Sequence, residues 1–196
     1  MRKSIMLSCL AVVIMASGLM PKATAGNYPV TDVDFIRKML LQPDADFSPF
    51  IGSELCDAFI YLIDNDDNER VVHRAVARLW QTEDERSVPY LIEYTGKYTM
   101  DCLYGLGWFS TPESCQTLLA YLNDEDEFNR RFSAQSLGKL DYTVSEEMWA
   151  LRDTVLAKLG ERLEKEKEEW ILPIINDAFM AVSAQVFSQE ETSMTN

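Results

Sequence analysis

The sequence predicts an all-α fold made of helical hairpins, and three observations lead to this prediction. Apolar and small residues recur at i, i+3, i+4 and i+7 in several segments, which is the period of an amphipathic helix. Strict alternation of apolar and polar residues, the signal of a half-buried strand, is almost absent from the 196 residues. Three segments align on Leu79, Leu106 and Leu137, at spacings of 27 and 31 residues. A period in this range indicates a helical unit that is repeated and stacked.

The first 25 residues are predicted to be an export signal that is cleaved after Ala25. Arg2 and Lys3 precede an apolar run, and Ala23-Thr24-Ala25 has the small-x-small form of a signal peptidase site. The alternative is a short membrane anchor, but this run contains Ser and Gly and ends in the cleavage motif. No other apolar run approaches the ~20 residues that a membrane span needs. We therefore expect a periplasmic or secreted protein that does not insert into a membrane after cleavage.

Two helices are expected before the repeated units. One covers residues 33–40 and follows a cap at Thr31 or Asp32, and the other covers residues 53–63 with apolar residues along one face. Both patterns are too short to bury a core alone. We expect them to extend the array towards its N-terminal end.

Each repeated unit is predicted to consist of a helix A, a short polar turn and a helix B. In the first unit, helix A has apolar or small residues at helical spacing: Val72, Ala75, Val76 and Leu79. Its helix B starts near residues 85–88 and has Pro89 in the first turn, where a missing N–H costs little. In the second unit, helix B starts at Pro112 after a cap at Ser110 or Thr111. Trp80 and Trp108 follow two of the aligned leucines, so we expect them to pack within the turns.

Two longer helical patterns follow the last unit and complete the predicted domain. The first runs over residues 145–167 and ends in a strongly charged part, and the second, over residues 170–186, is apolar enough to cap the stack. We predict a single domain over residues 26–187, because stacked hairpins cover one another's apolar faces. Residues 188–196 are predicted to be a disordered tail.

The units resemble HEAT-type repeats, specifically the short bacterial variety that also occurs in phycobilisome lyases. The segment AYLNDEDEFNRRFSAQSLGKL carries the resemblance most clearly, through its acidic turn, Arg130-Arg131 and Leu137-Gly138. The segment DERSVPYLIEY is similar to the family's helix B, including the proline. The resemblance covers residues 60–140 and implies a right-handed α-solenoid of HEAT-like hairpins. The first unit departs from the pattern, with Val72-His73 in place of the arginines, and the fold does not fix an activity.

An acidic run precedes helix A in two of the three units. It reads DNDDNE at residues 64–69 and returns as NDEDE at residues 123–127. A calcium loop of the EF-hand type would need Gly at its sixth position and Glu at its twelfth, but Glu69 and Ala75 stand there. Acidic side chains ahead of a helix cap its free N–H groups and favour its dipole. We therefore predict helix caps here, and neither a metal site nor a cofactor.

Three cysteines and one histidine remain after signal cleavage. Cys102 and Cys115 flank the turn predicted at residues 107–111, at similar heights on facing helices. Either they form a disulfide, which export favours, or they are two buried free thiols. Cys56 lies within an amphipathic pattern and is expected in the core, with its role left open. His73 has no Ser or Cys partner at a recognised spacing, so we expect a surface or inter-repeat hydrogen bond and no catalytic residue.

A polar and aromatic stripe on helix B is the candidate surface for a partner. Tyr90, Glu93 and Tyr94 share one face of the first helix B, and Thr117 and Tyr121 take the corresponding places in the next one. The resemblance implies that helix B lines the concave side of the solenoid. The tyrosines either contact a partner protein, as tyrosines often do at interfaces, or pack between repeats.

The charge of the protein restricts the class of its partner. Removing residues 1–25, which carry three basic and no acidic side chains, changes the net charge from −14 to −17. Such a surface repels nucleic acids and anionic lipids, and it suits a basic protein partner, a cation or simply solubility. We expect a non-catalytic protein-protein interaction module that binds or inhibits a basic partner in the periplasm, as an immunity protein does. The alternatives are a lyase-like or modifying-enzyme accessory protein and a structural component of the cell envelope.

Overall fold

The computed structural model describes residues 30–47 and 52–193, and every regular element within these residues is helical. This confirms the predicted all-α class. The α-helices are α1 (Val30–Leu40), α2 (Ser53–Asn65), α3 (Glu69–Val76), α4 (Ser87–Tyr94), α5 (Thr99–Leu106), α6 (Pro112–Tyr121), α7 (Glu127–Leu137), α8 (Glu146–Lys165) and α9 (Leu172–Ser193). A 3₁₀ helix, Leu79–Thr82, lies between α3 and α4. The predicted export signal and residues 194–196 lie outside the described residues.

The helix boundaries differ from the prediction at three places. α1 begins at Val30, ahead of the predicted start at residue 33, and α9 continues to Ser193, beyond the predicted domain end at residue 187. The apolar stripe of the first helix A also does not form one continuous helix. The α-helix ends at Val76, and Leu79 begins the tighter 3₁₀ turn. There the Thr82 hydroxyl donates to the Leu79 carbonyl at 2.7 Å.

The helices pack mainly on their near neighbours along the chain. Contacts join successive helices, such as α2 with α3, α4 with α5 and α8 with α9. They also join alternate helices, with α5 on α7, α4 on α6 and α7 on α9. Most helices are therefore covered by the helices next to them and next but one, whereas α8 packs on α6 and α9.

The residues that aligned in the sequence occupy the core. Leu79, Leu106 and Leu137 are all fully buried. The small residues four positions before each of them, which are Ala75, Cys102 and Ser133, are fully buried as well. Small side chains at these positions allow neighbouring helices to approach closely.

Two glycines mark the closest approaches between helices. A Cβ on Gly107 would lie 2.7 Å from the Cβ of Ser136 in α7. A Cβ on Gly138 would lie 2.7 Å from the Cα of Ala178 in α9. Real Cβ atoms essentially never come this close to another heavy atom. The turn after α5 and the end of α7 therefore require glycine for packing.

The two acidic runs form the same hydrogen bonds, 58 residues apart in the sequence. Asp66 accepts from the Asn68 N–H at 2.8 Å, and Asn68 caps α3 by accepting from the Arg70 N–H. Asp124 accepts from the Asp126 N–H at 2.9 Å, and Asp126 caps α7 by accepting from the N–H groups of Phe128 and Asn129. The predicted capping role is confirmed. Within the described residues, no group of three or more His, Cys, Asp and Glu side chains is placed to hold a metal ion.

Arginines connect both acidic turns to other elements. Arg37 of α1 pairs with Asp66, and although burial raises the pKa of Asp66, this hydrogen bond and the one from Asn68 lower it overall. Arg130 of α7 donates to the backbone carbonyls of Asp124 and Glu125 and pairs with the buried Glu166. The turns are thus fixed by ion pairs as well as by local caps.

In the described part of the chain, no helix has the length and apolar character of a membrane span.

Candidate functional site

A groove of about 600 Å³ runs between three connecting segments on one edge of the structure. It is lined by residues 45–47 after α1, by the 3₁₀ helix and the segment after it at residues 80–85, and by residues 108–110 between α5 and α6. We call it the aromatic groove. The volume lies within the range of small-ligand and side-chain pockets in proteins.

Buried polar groups fix the middle segment of the aromatic groove. The Thr82 hydroxyl lies 2.8 Å from that of Ser87, and both hydroxyls bond the Leu79 carbonyl. Asp84 then accepts from the Arg86 backbone N–H, which starts α4. Between them Glu83 has a φ of 53°, in the left-handed region that glycine favours. The chain therefore turns sharply at Glu83, whose side chain is exposed at the groove.

Stacked aromatic rings form one wall of the aromatic groove. The rings of Trp80 and Trp108 stack with centroids 5.0 Å apart and an interplanar angle of 21°. Tyr104 meets Trp80 edge-on at 5.6 Å. The Lys139 ammonium lies 4.2 Å from the Tyr104 centroid and 5.0 Å from that of Trp108, and burial lowers its pKa. Trp108 nevertheless stays 51% exposed. The prediction that both tryptophans pack in the turns thus accounts for Trp80 but not for Trp108.

The described lining of the aromatic groove contains three acidic residues and no basic residue. These are Asp46, Glu83 and Glu85. Glu83 and Glu85 are exposed, and neither forms an ion pair with another described residue. Nearby cations have other partners, because Arg78 and Lys139 lie over aromatic rings and Arg86 pairs with Asp57 and Asp84. The groove therefore combines an aromatic surface with negative charge.

The predicted helix B stripe is only partly available to a partner. Tyr90 is 2% exposed, and its hydroxyl donates to Asp64 at 3.2 Å, so its assignment as a partner-binding residue is wrong. Its ring packs inside the structure, and the hydroxyl at the tip of the ring reaches the exposed Asp64 carboxylate. Glu93 is exposed, whereas Tyr94, Thr117 and Tyr121 are half-buried. Tyr94 stacks on Tyr98 with centroids 5.9 Å apart. Of the two interpretations of the tyrosines, partner contact and packing, Tyr90 therefore follows the second.

The single histidine forms a surface hydrogen bond, as predicted. His73 of α3 has its Nε2 atom 2.9 Å from Asp101 Oδ2 of α5, and its ring stacks on Tyr98 at 4.2 Å. His73 and Asp101 each remain 46% exposed. The contact joins α3 and α5 across the surface.

The three cysteines of the described chain are free and buried. Of the two alternatives for Cys102 and Cys115, the structure has the two buried free thiols and not the disulfide. The thiol of Cys115 contacts the Tyr142 hydroxyl of the following segment instead. Burial raises the pKa of Cys56 and Cys115 to about 11 and that of Cys102 to about 12. At neutral pH these groups are protonated thiols and weak nucleophiles.

Cys56 and His73 have separate partners and do not form a catalytic pair. Cys56 lies 3.5 Å from the Ser87 hydroxyl in the buried network below the aromatic groove. His73 faces Asp101 and Tyr98. The nucleophile and the base that covalent catalysis requires are therefore not brought together by these two residues.

Sequence reasoning missed the aromatic groove as a site. The available signal was the recurrence of tryptophan just after two aligned leucines, at Trp80 and Trp108. The sequence could not show that residues 45–47 lie beside them or that Trp108 is left exposed.

No protein-family profile matches this chain, and no curated protein matches it in sequence.

Proposed function

We propose that this protein is an exported, non-catalytic protein-binding module built as a right-handed HEAT-like α-solenoid, with the aromatic groove as its binding surface. Three observations support the architecture: the buried aligned leucines, the paired caps of the acidic turns, and the packing of each helix on its near neighbours. Repeat arrays of this kind depend on contacts between adjacent units and present extended surfaces to partners.

The stacked pair of Trp80 and Trp108 is the observation that carries the binding function. Trp108 remains half exposed although it lies beside a large buried core. Exposed tryptophans in a concave, partly apolar site are typical of partner contacts, and tryptophan is among the residues that contribute most to binding. The ring stack also holds both side chains in place before a partner binds, which reduces the ordering cost of association.

The chemistry of the described residues favours binding over catalysis. The thiols are buried and protonated, and the histidine is occupied by Asp101 and Tyr98. The net charge of −17 after signal cleavage favours a basic partner and accelerates its association at low salt. Because of the predicted export signal, we propose that the protein meets its partner in the periplasm or outside the cell.

The binding function can be tested by capture followed by comparison of matched variants. The mature protein is immobilised, partners are taken from the exported fraction of the source cells, and the best enriched one is purified for titration calorimetry. Trp108→Ala should weaken binding at least about tenfold, as expected for a tryptophan hot spot. Trp170→Ala is the matched control, because Trp170 is 43% exposed outside the aromatic groove.

Two outcomes of this comparison would contradict the proposal. One is an unchanged affinity for Trp108→Ala in a variant that keeps the wild-type melting temperature. The other is a loss of affinity with Tyr121→Ala or Trp170→Ala alone, which would place the binding surface on helix B or around Trp170.

A further inference from the structure

At the border of the aromatic groove, two aromatic rings each have a cationic side chain of the same protein over their face. The Arg78 guanidinium lies 5.0 Å from the centroid of Phe47, and the Lys139 ammonium lies 5.0 Å from the centroid of Trp108. Cations are attracted to the faces of aromatic rings by the ring quadrupole, and tryptophan is the strongest of these partners. The rings that form the groove are therefore suited to cationic groups.

The acidic side chains of the groove add a second attraction for cations. Glu83 and Glu85 line it, are exposed, and form no ion pair with another described residue. Charges of one sign in a concave site with apolar walls raise the local concentration of the opposite charge. The groove thus offers both ring faces and carboxylates in one place.

The backbone conformation of Glu83 also supports a binding role for its carboxylate. Its φ of 53° is costly for any residue with a side chain, and glycine would relieve that cost. A glutamate at such a position is unfavourable for stability. A binding role of its exposed carboxylate at the groove accounts for glutamate at this position.

We propose that the aromatic groove binds an extended basic segment of the partner protein, with an arginine side chain stacked against the exposed part of Trp108 and paired with Glu83 or Glu85. This inference rests on the proposed function and specifies its partner. Arginine is favoured over lysine because its planar guanidinium can stack on an aromatic ring and bond a carboxylate at the same time. Leucine or a similar apolar neighbour would cover the remaining exposed part of the tryptophan wall formed by Trp80 and Trp108.

The test uses a capped hexapeptide that contains two arginines and two leucines, titrated into the mature protein by calorimetry. The matched probe has citrulline in place of each arginine, because citrulline keeps the planar group but not the charge. We expect the arginine peptide to bind at least about tenfold more tightly than the citrulline peptide, and to bind more weakly as salt is added. Equal affinity for the two peptides would overturn the inference.

Protein variants separate recognition by the groove from bulk attraction to an acidic surface. Glu83→Gln should weaken the arginine peptide several-fold, while Glu147→Gln, which removes an exposed charge from α8, should leave it unchanged. Glu83→Gly should weaken the peptide and at the same time keep or raise the melting temperature, because it relieves the left-handed backbone. Equal effects of Glu83→Gln and Glu147→Gln would contradict recognition by the groove.

The two proposals fail in different ways. Suppose that the arginine peptide does not bind but Trp108→Ala abolishes binding of the captured partner. The groove is then the binding site, but its occupant is not a basic segment. If Trp108→Ala leaves the captured partner bound, the proposed function fails whatever the peptides do.

Discussion

At the scale of single residues, Glu166 is the most constrained charge in the described chain. Its side chain is fully buried, and its carboxylate accepts two hydrogen bonds from Arg130, at 3.0 and 2.9 Å. The backbone N–H groups of Lys167 and Glu168 donate to it as well. Burial alone would raise the pKa of Glu166, but these donors lower it to about 2.

Replacing this carboxylate should cost stability and change the response to acid. Glu166→Gln leaves Arg130 buried without its counter-charge, so we expect a loss of about 3 kcal/mol in the free energy of unfolding. Because the pKa is lower in the folded state than the ordinary 4.5, the wild-type contribution is complete above about pH 4.5 and is lost as the pH falls towards about 2. Urea titrations at several pH values should show this acid-dependent loss in the wild type and a smaller one in the variant. An equal acid dependence in both proteins would contradict the assigned role.

The buried thiols give a second residue-scale prediction. Native protein should react slowly with a thiol reagent, because burial raises the pKa of Cys102 to about 12 and that of the other two thiols to about 11. After unfolding without reductant, all three thiols of the mature protein should react at once. A yield of one thiol in place of three would show that Cys102 and Cys115 are joined after all. Mass mapping of the unreduced protein provides the check.

At the scale of elements, helix caps explain why the acidic runs occur where they do. Asp126 accepts from the N–H groups of two residues in the first turn of α7, and Asn68 caps α3 in a similar way. Thr111 and Ser145 cap α6 and α8. A run of oxygen-bearing side chains thus starts a helix and needs no bound cation.

Removing one of these caps should have a moderate and specific cost. Asp126→Ala should lower the free energy of unfolding by about 1 kcal/mol, because two N–H groups lose their acceptor. Asp126→Asn keeps an acceptor oxygen and should lose much less. Urea denaturation measures both. The cap would not be the stabilising feature if the two variants lost the same amount.

Helix contacts at glycine give the sharpest prediction at this scale. Gly138→Ala should destabilise the protein by about 1–3 kcal/mol, because its Cβ would collide with the backbone of α9 at Ala178. Gly96→Ala is the control, since a Cβ there meets no heavy atom within 4 Å, and it should be neutral or slightly stabilising. Thermal unfolding of the two variants compares them directly. Equal melting temperatures would mean that α7 and α9 are not packed as closely as described.

At the scale of the whole molecule, the sequence predicted local features better than contacts between distant helices. Leu79, Leu106 and the caps could be predicted because helical period and capping chemistry act within a few residues. The burial of Tyr90 and the partner of Cys115 could not, because each depends on which face of a hairpin meets the next one. The aromatic groove was hidden for the same reason, since its three segments are far apart in the sequence.

The proposed architecture also explains why the site lies at the connecting segments. In a stacked array, corresponding turns of successive units come to lie side by side, so Trp80 and Trp108 can form one continuous wall. Lys139, in the corresponding place after the third helix A, ends this row.

Photo-crosslinking in the source cells can show whether a partner protein occupies the aromatic groove. A photoreactive amino acid is placed at Asp46 in the groove or at Thr117 on the helix B stripe. We predict a crosslinked partner from Asp46 that disappears when Trp108→Ala is added, and none from Thr117. A partner crosslinked from Thr117, with none from Asp46, would mean that the partner binds helix B and not the groove.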